Sequence, residues 1–342
     1  VVIWVQHFRR AVLARCVHLF SDGLDSIVSL KLLESFGIEV VPVRFYSVFF
    51  PLSRHRKPEE YRRYVAERFG VDVVVVDVTA EFVGLLERPP HGFGRWMNPC
   101  VDCRILMYRR AGEMMRAVRA DFISTGEVVG QRPMTQFAHI LPMMEREANL
   151  QGLILRPLTA KNLRPTRAEV EGLVERDKLL DIRGRSRRRQ LALAKELGIE
   201  EPPQPAGGCL LTDANYAKKV KVLLRQGWRS LADFRIINAG RFFRLPSESR
   251  LIVGRYEAEN NFLDRVRPPY ALRLEPTSVV GPVALLFGKQ DGEVLDIALS
   301  IVARYSDANE GEQVRLSLIR GDDDLGERVV AKEMLNLERY RV

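Results

Sequence analysis

The sequence predicts an α/β protein, with a doubly wound parallel sheet followed by a smaller α+β domain. Three observations lead there. Short β-branched runs alternate with helical stretches over the first 165 residues or so. Polar, glycine-bearing loops follow several of those runs. After about residue 236 the texture changes to short strands and turns.

The elements follow in order. Cys16–Phe20 is an apolar strand, Ser21–Ser26 a tight polar loop, and Ile27–Leu33 repeats apolar residues at helical spacing until Gly37 stops the helix. Glu39–Tyr46 reads as a second strand, irregular at Pro42. Pro58–Phe69 is an amphipathic helix, and Val71–Val78 is a β-branched run of the kind that forms a buried parallel strand. A loop with Pro89, Pro90, Gly92 and Gly94 leads to a long helix over Val101–Val118, with Asn98 as N-cap and Pro99 at its first position. Asp121–Gly126 is a strand ending in a turn, and Leu153–Leu158 a further strand. Ligands of such sheets lie at the C-terminal ends of the strands. The Ser21–Ser26 loop, Thr125-Gly126 and Arg156 fall at those ends.

Residues 166–227 read as mostly helical, opened by a Thr166–Glu169 capping box and interrupted by Pro202–Gly208. The expected domains are therefore 1–165, 166–235 and 236–342. The first dozen residues fit no motif and read as an edge strand or a tail.

With 342 residues, 46% of them hydrophobic, the chain can build real cores. A net charge of +9 suits an anionic partner such as RNA. Four cysteines, at 16, 100, 103 and 209, are too few for a disulfide scaffold and suit metal or redox work in a reducing cytoplasm. No apolar run is long enough to span a membrane.

Chemistry concentrates in a few places. Ser21-Asp22-Gly23-Leu24-Asp25-Ser26 combines hydroxyls, a glycine that permits close backbone approach, and a helix N-terminus. Such a loop holds phosphate, or it is an ordinary serine-capped helix start. In Asn98-Pro99-Cys100-Val101-Asp102-Cys103 the two cysteines are i and i+3 on the first helical turn, where the dipole favours thiolates. Cys209 follows two glycines. Three thiolates with no convincing fourth ligand suit a [4Fe–4S] cluster with one open iron. A structural zinc site would need His91 or His139 as well. Cys16, inside the first strand, reads as a core residue. Residues 183–189 pack five arginines into seven positions, which favours contact with RNA phosphates over a solvated helix start.

SDGLDS, NPCVDC before a long helix, ADFISTGEVVGQRPMTQ, LRPLTAK and AGGCLLTD together resemble the tRNA thiouridylase-type PP-loop ATP pyrophosphatases, 2-thiouridylase-like, over residues 14–225. The resemblance implies an adenine nucleotide alpha hydrolase-like fold. It also implies a two-stage reaction: ATP adenylates a uridine carbonyl oxygen in tRNA, and a sulfur species then displaces AMP. Ser21, Gly23, Asp25 and Ser26 match the family's ATP loop, with Asp25 acting through Mg²⁺ or bracing the loop, while Asp22 stands where the family has glycine. Thr125 and Gly126 match the second nucleotide motif, in which Glu127 replaces a histidine. Gln131 and Arg132 could face ATP or the target base, and Arg156 and Lys161 are candidate charge partners, with a solvated surface role as the alternative for each basic residue. Sulfur delivery has two versions. Either Cys100, Cys103 and Cys209 hold the cluster, or Cys209 carries a persulfide that Cys100 resolves. The chain departs from the relatives that use the persulfide, because both positions of its first pair are cysteine, and this favours the cluster.

Residues 238–342 resemble NFACT-R RNA-binding domains, on Arg241–Pro246, Leu251–Asn261 and Ala303–Ala308. There Arg255, Asn260 and Asn261 would touch RNA or stabilise a turn. The resulting expectation is a cytoplasmic tRNA sulfurtransferase that takes sulfur from sulfide or a carrier protein, with a homodimer allowed. Its rivals are a PP-loop ligase or amidotransferase acting on a small molecule, and a non-catalytic RNA-binding protein.

Overall fold

The computed structural model describes residues 14–50, 52, 57–199, 208–333 and 336–342. The first dozen residues and most of the Pro202–Gly208 interruption lie outside them. The chain forms two compact units, Val1–Cys209 and Leu210–Val342. The expected helical stretch 166–235 is thus divided between the two.

In the first unit the elements are β1 (Arg15–Leu19), α1 (Leu24–Ser35), β2 (Glu39–Tyr46), α2 (Pro58–Phe69), β3 (Val74–Asp77), α3 (Thr79–Glu87), α4 (Cys100–Ala117), β4 (Phe122–Thr125), α5 (Ile140–Glu147), β5 (Ile154–Leu155), α6 (Arg167–Val170) and α7 (Arg188–Glu196). The strands pair in parallel in the order β3-β2-β1-β4-β5. The order reverses between β1 and β4, so a crevice opens at their C-terminal ends.

Both faces of the sheet are covered. Val17, Leu19, Val43 and Phe45 pack with Val101, Ile105 and Tyr108 of α4 and with Leu141 and Met144 of α5. On the α1 side, Ile27, Val28 and Leu30 pack with Tyr61 and Val65 of α2 and Ala194 of α7. Cys16 is fully buried among Leu33, Phe122 and Leu155, a core residue whose thiol burial drives upward in pKa.

Three local expectations change. Pro42 leaves β2 regular, because β3 pairs with β2 only from Val43 onward and Pro42 has a strand partner on the β1 side, at His18. No ladder bond is lost there. The Val71–Val78 run is not a fully buried strand; β3 is four residues long at the sheet edge, with Val74 41% exposed. Only its flanks, Val71, Val73 and Val78, are buried. The Thr166–Glu169 capping box forms, but α6 is one turn long.

The second unit comprises α8 (Ala214–Arg225), α9 (Leu231–Ile236), β6 (Arg241–Arg244), β7 (Arg250–Val253), α10 (Glu257–Val266), β8 (Leu272–Pro276), β9 (Ala284–Phe287), α11 (Gly292–Arg304), β10 (Gln313–Arg320) and β11 (Asp323–Ala331). Its antiparallel sheet runs β11-β10-β8-β9-β7-β6. Leu272, Leu274 and Leu286 of the sheet pack against Val294, Ala298, Leu299 and Val302 of α11. Arg250 is buried beneath the Trp228 indole, 3.5 Å from its centroid, and bonded to Asp233 at 2.5 Å. Among the described residues no helix is long and apolar enough to cross a membrane.

Candidate active site

The Ser21–Ser26 loop leaves the C-terminal end of β1, and Thr125-Gly126 leaves β4 beside it, so both sit at the sheet's switch point. Their backbones touch. A Cβ on Gly126 would lie 2.6 Å from the Asp25 carbonyl and from the Ser26 nitrogen. Glycine at 126 is therefore a packing requirement between the two motifs.

Neither serine caps α1. Gly23 occupies the N-cap position, and no side chain bonds the first turn there. That excludes the reading as a serine-capped helix and leaves the positive end of α1 to a ligand. The Ser26 hydroxyl is used inside the loop: it accepts from the Ser21 N–H at 3.0 Å and donates to the Leu19 carbonyl at 3.3 Å.

Behind Ser26 lies His18, fully buried in β1. Its Nε2 is 3.0 Å from the Ser26 carbonyl, which can only accept, so the proton sits on Nε2. Nδ1 then accepts from the Ser124 hydroxyl at 3.0 Å. Burial lowers the His18 pKa to about 4, partly countered by the Ser26 carbonyl. The imidazole is thus a neutral strut joining β1, β4 and the loop. A lone histidine in an apolar run gave no sequence signal of this.

Asp22 adopts a left-handed φ of 49°, the conformation glycine takes most easily and aspartate tolerates. Its carboxylate lies 3.9 Å from Arg44 of β2 and near the Tyr61 hydroxyl of α2. Asp25 differs. One oxygen accepts from Gln131 Nε2 at 2.5 Å, while Oδ1 is buried with no hydrogen-bond partner among the described residues. An orphaned carboxylate oxygen at the phosphate end of such a loop fits a divalent cation such as Mg²⁺.

Glu127 is buried and does not face the crevice as a bare charge. Its carboxylate accepts from the Tyr108 hydroxyl at 2.5 Å and from Arg156 Nε at 3.0 Å, and Arg104 Nε lies 3.1 Å away. Burial alone would raise its pKa, but Arg104 and Arg156 prevail and hold it below the usual carboxylate value. Arg156, 2% exposed, also pairs with Glu145 at 2.5 Å. Its guanidinium is committed to two carboxylates and Tyr108 in the interior, which makes it a scaffold cation behind the crevice. Lys161 donates to the Asp177 carbonyl at 2.8 Å.

Cys100 and Cys103 lie on the first turn of α4, which starts one residue later than a cap at Asn98 requires: Pro99 holds the N-cap position. Asn98 does something else. Its Oδ1 accepts from the Trp96 N–H at 3.2 Å, which turns Nδ2 toward Cys100 Sγ at 3.1 Å. Burial pushes the Cys103 thiol up in pKa; Arg104 pulls against this, and Cys209 and Cys100 are near enough to add to the rise. Three thiols, with Arg104 next to one of them, are a donor set whose chemistry suits an iron–sulfur cluster. Among the described residues no three His, Cys, Asp or Glu side chains are drawn together as a metal-binding group. His91 is not a ligand of the pair. Its Nδ1 meets Asp102 at 2.8 Å and its Nε2 meets Glu147 at 3.1 Å, contacts that raise its pKa, led by the hydrogen bond to Asp102. His139 stacks on Phe137.

In the second unit Arg255 pairs with Glu259, and Asn260 Oδ1 accepts from the Val283 N–H at 3.2 Å. Both brace the turn around Gly254, where a Cβ would collide with Asn260. Sequence reasoning missed His18, Arg44, Arg104, Tyr108 and Gln190; of these only Arg104, next to Cys103, carried a signal in its position.

Residues 11–163 match the family described as Thiamine biosynthesis protein (ThiI), and residues 240–340 match the NFACT protein RNA binding domain. A protein of Methylorubrum extorquens named tRNA-specific 2-thiouridylase MnmA is 26% identical over 330 residues, covering 89% of this chain and 82% of the relative. Its namesake from Methylobacterium radiotolerans is 26% identical over 293 residues, covering 78% and 70%. A solved 4-thiouridine synthetase–RNA complex with bound ATP shares 19% identity at a TM-score of 0.34, over 64% of this chain and 54% of that one. The chain therefore carries a region similar to the ThiI family, over residues 11–163, ahead of one similar to the NFACT RNA-binding domain, over residues 240–340.

Proposed function

We propose that the protein is an ATP-dependent tRNA sulfurtransferase that adenylates a uridine carbonyl oxygen and replaces that oxygen with sulfur. The observation that carries the reading is the crevice at the β1/β4 switch point. There an uncapped helix N-terminus, Asp25 with a free buried oxygen and the tightly apposed Thr125-Gly126 turn converge in a unit that also bears the three cysteines. The ThiI and NFACT matches and the thiouridylase relatives support the same reading.

The loop's role follows from electrostatics. A uridine oxygen leaves poorly, and adenylation converts it into a good leaving group. The α1 N-terminus and Gly23 receive phosphate, Ser21 and Ser26 fix the loop's shape, and Asp25 would hold Mg²⁺ against the phosphates. Thr125 and Gly126 form the opposite wall, close to the nucleotide. Arg156 keeps Glu127 neutralised behind that wall, so that no net negative charge faces the triphosphate.

Cys100, Cys103 and Cys209 would hold a [4Fe–4S] cluster, which supplies one iron free of protein thiolate to bind sulfide. The Asn98 amide favours anionic sulfur at Cys100. That same contact also suits the second reading, in which Cys209 carries a persulfide and Cys100 closes a disulfide with it as sulfur departs. Protein purified without oxygen is brown, with iron and acid-labile sulfide, on the first reading. A colourless, iron-free and active preparation rejects it in favour of the relay.

The central test is pyrophosphate release with and without tRNA. A tRNA-dependent release is expected. Release without tRNA would indicate a ligase for a small molecule, and none under any condition a binding protein. Nucleoside mass spectrometry of tRNA from cells lacking the protein identifies the missing thiouridine.

A further inference from the structure

We propose that the arginine-rich segment 183–189 closes the phosphate end of the nucleotide site, with Arg132 and Arg187 taking the β- and γ-phosphates of ATP and holding pyrophosphate as it leaves. This rests on the reading of the first unit as an ATP-using domain.

The segment is tied at two points to the stretch that follows Thr125-Gly126 and, through α7, at a third to the ATP loop. The Gly184 N–H donates to the Val129 carbonyl at 2.8 Å, and Val129 pairs with Arg183 as a parallel bridge. Gly130, at a φ of 76°, brings its backbone against Gly184. On the first turn of α7, fully buried Gln190 donates to Gln131 Oε1 at 3.2 Å, and Gln131 in turn donates to Asp25 at 2.5 Å. A buried side-chain relay thus runs from the arginine segment to an acidic residue of the ATP loop.

The relay holds Arg132 and the first turn of α7 in one neighbourhood. Arg132 follows Gln131 directly, and its backbone N–H is fixed by Gln136 Oε1 at 3.0 Å. It lies at the surface, yet its guanidinium is partly desolvated, and together with repulsion from Arg104 and Arg187 this lowers its pKa, with Asp25 acting in the opposite sense. Arginines held together against their mutual repulsion are relieved by a bound polyanion.

Two sources of phosphate are available, ATP and RNA, and the relay favours ATP. Arginines serving the RNA backbone alone would gain nothing from a buried connection to Asp25. Adenylation also places its developing charge here. The uridine oxygen forms a bond to the α-phosphorus, the bond from that phosphorus to the bridging oxygen breaks, and the electron pair leaves on pyrophosphate, while the ring-nitrogen proton passes to water. Guanidinium groups at the β- and γ-positions stabilise that leaving group.

The test is calorimetric titration of the full-length protein with ATP, AMP and inorganic pyrophosphate in turn. Arg132→Gln and Arg187→Gln should each weaken ATP and pyrophosphate on the order of 10-fold, as expected for losing a charge-assisted hydrogen bond, and leave AMP unchanged. Arg187→Lys should recover part of the loss, and matched melting temperatures would show that the variants are folded. Unchanged ATP affinity with weakened tRNA binding would assign the arginines to RNA and overturn the proposal. Equal losses for AMP and ATP would mean general damage to the site and also overturn it. Wild-type protein that binds neither ATP nor pyrophosphate would remove the functional reading as well. Intact tRNA-dependent pyrophosphate release with unaltered ATP affinity in both variants would remove this inference alone.

Discussion

At Asp22 a carboxylate stands in a left-handed turn beside the expected triphosphate, which looks self-defeating until its partners are counted. Arg44 balances its charge and the Tyr61 hydroxyl stands near it, both from the α2/β2 side of the loop. Asp22→Gly should therefore change ATP affinity by less than about fivefold, the scale of a partly screened ion pair. A large gain on titration would show that the natural loop is electrostatically impaired. His18 makes the second prediction at this scale. Its pKa is about 4 in the fold against an ordinary 6.5, so between those values the unfolded chain binds more protons than the native one. Stability then rises with pH through that window and is lost as pH falls from 6.5 toward 4, by roughly 3 kcal/mol. The His91 pKa is shifted upward, so its contribution runs the other way, present at low pH and lost as pH rises. The difference between wild type and His18→Gln isolates the buried imidazole: urea denaturation at pH 4.5 and 7 should show the variant much less pH-sensitive. Parallel profiles would refute the neutral strut.

At the scale of elements, the β1 and β4 loops function as one unit because their backbones are in contact at Gly126. Gly126→Ala forces a methyl into the Asp25–Ser26 backbone, which cannot rotate aside as a side chain would. A loss of about 1–3 kcal/mol is expected, with a lowered melting temperature and weakened ATP binding together. Lost stability with intact ATP binding would mean that the loop moves without consequence for the nucleotide. The first turn of α4 shows how an element's exact start matters. Had Asn98 capped the helix, its side chain would have bonded an amide of the helix's first turn; with Pro99 in that place its oxygen takes the Trp96 N–H and its amide turns to Cys100. A cap and a sulfur-binding amide require the same residue type, so the motif alone did not separate them.

At the scale of the molecule, the proposed function divides the arginines of a chain with net charge +9 between two anions, ATP and tRNA. Arg183, Arg185 and Arg188 are exposed, while Gln190 is tied inward, through Gln131, toward Asp25. Replacing those three exposed arginines with glutamine should flatten the salt dependence of tRNA binding. The logarithmic slope should fall by about 0.7 to 0.9 for each phosphate that is no longer neutralised. An unchanged slope would place the run off the RNA path.

The sequence by itself determined the alternation of strands and helices, the loops at strand ends, the cysteine pair and the change of texture before the second unit. Each of these depends on neighbours in the chain: β-branched runs, helical spacing, glycine in turns. Only the tertiary structure decided what the polar residues in those loops do. Arg156 looked like a cation for ATP, but Glu127, Glu145 and Tyr108 come from distant segments to enclose it. His18 meets Ser124 across two strands, Asp22 meets Arg44 from another, and Gln190 reaches Asp25 through Gln131. The Ser21–Ser26 loop reads from its own residues as a phosphate loop or a capped helix start, and the fold removes the second reading. Its charge balance is set by groups far away in sequence, because electrostatic and hydrogen-bonding partners are chosen by distance in space.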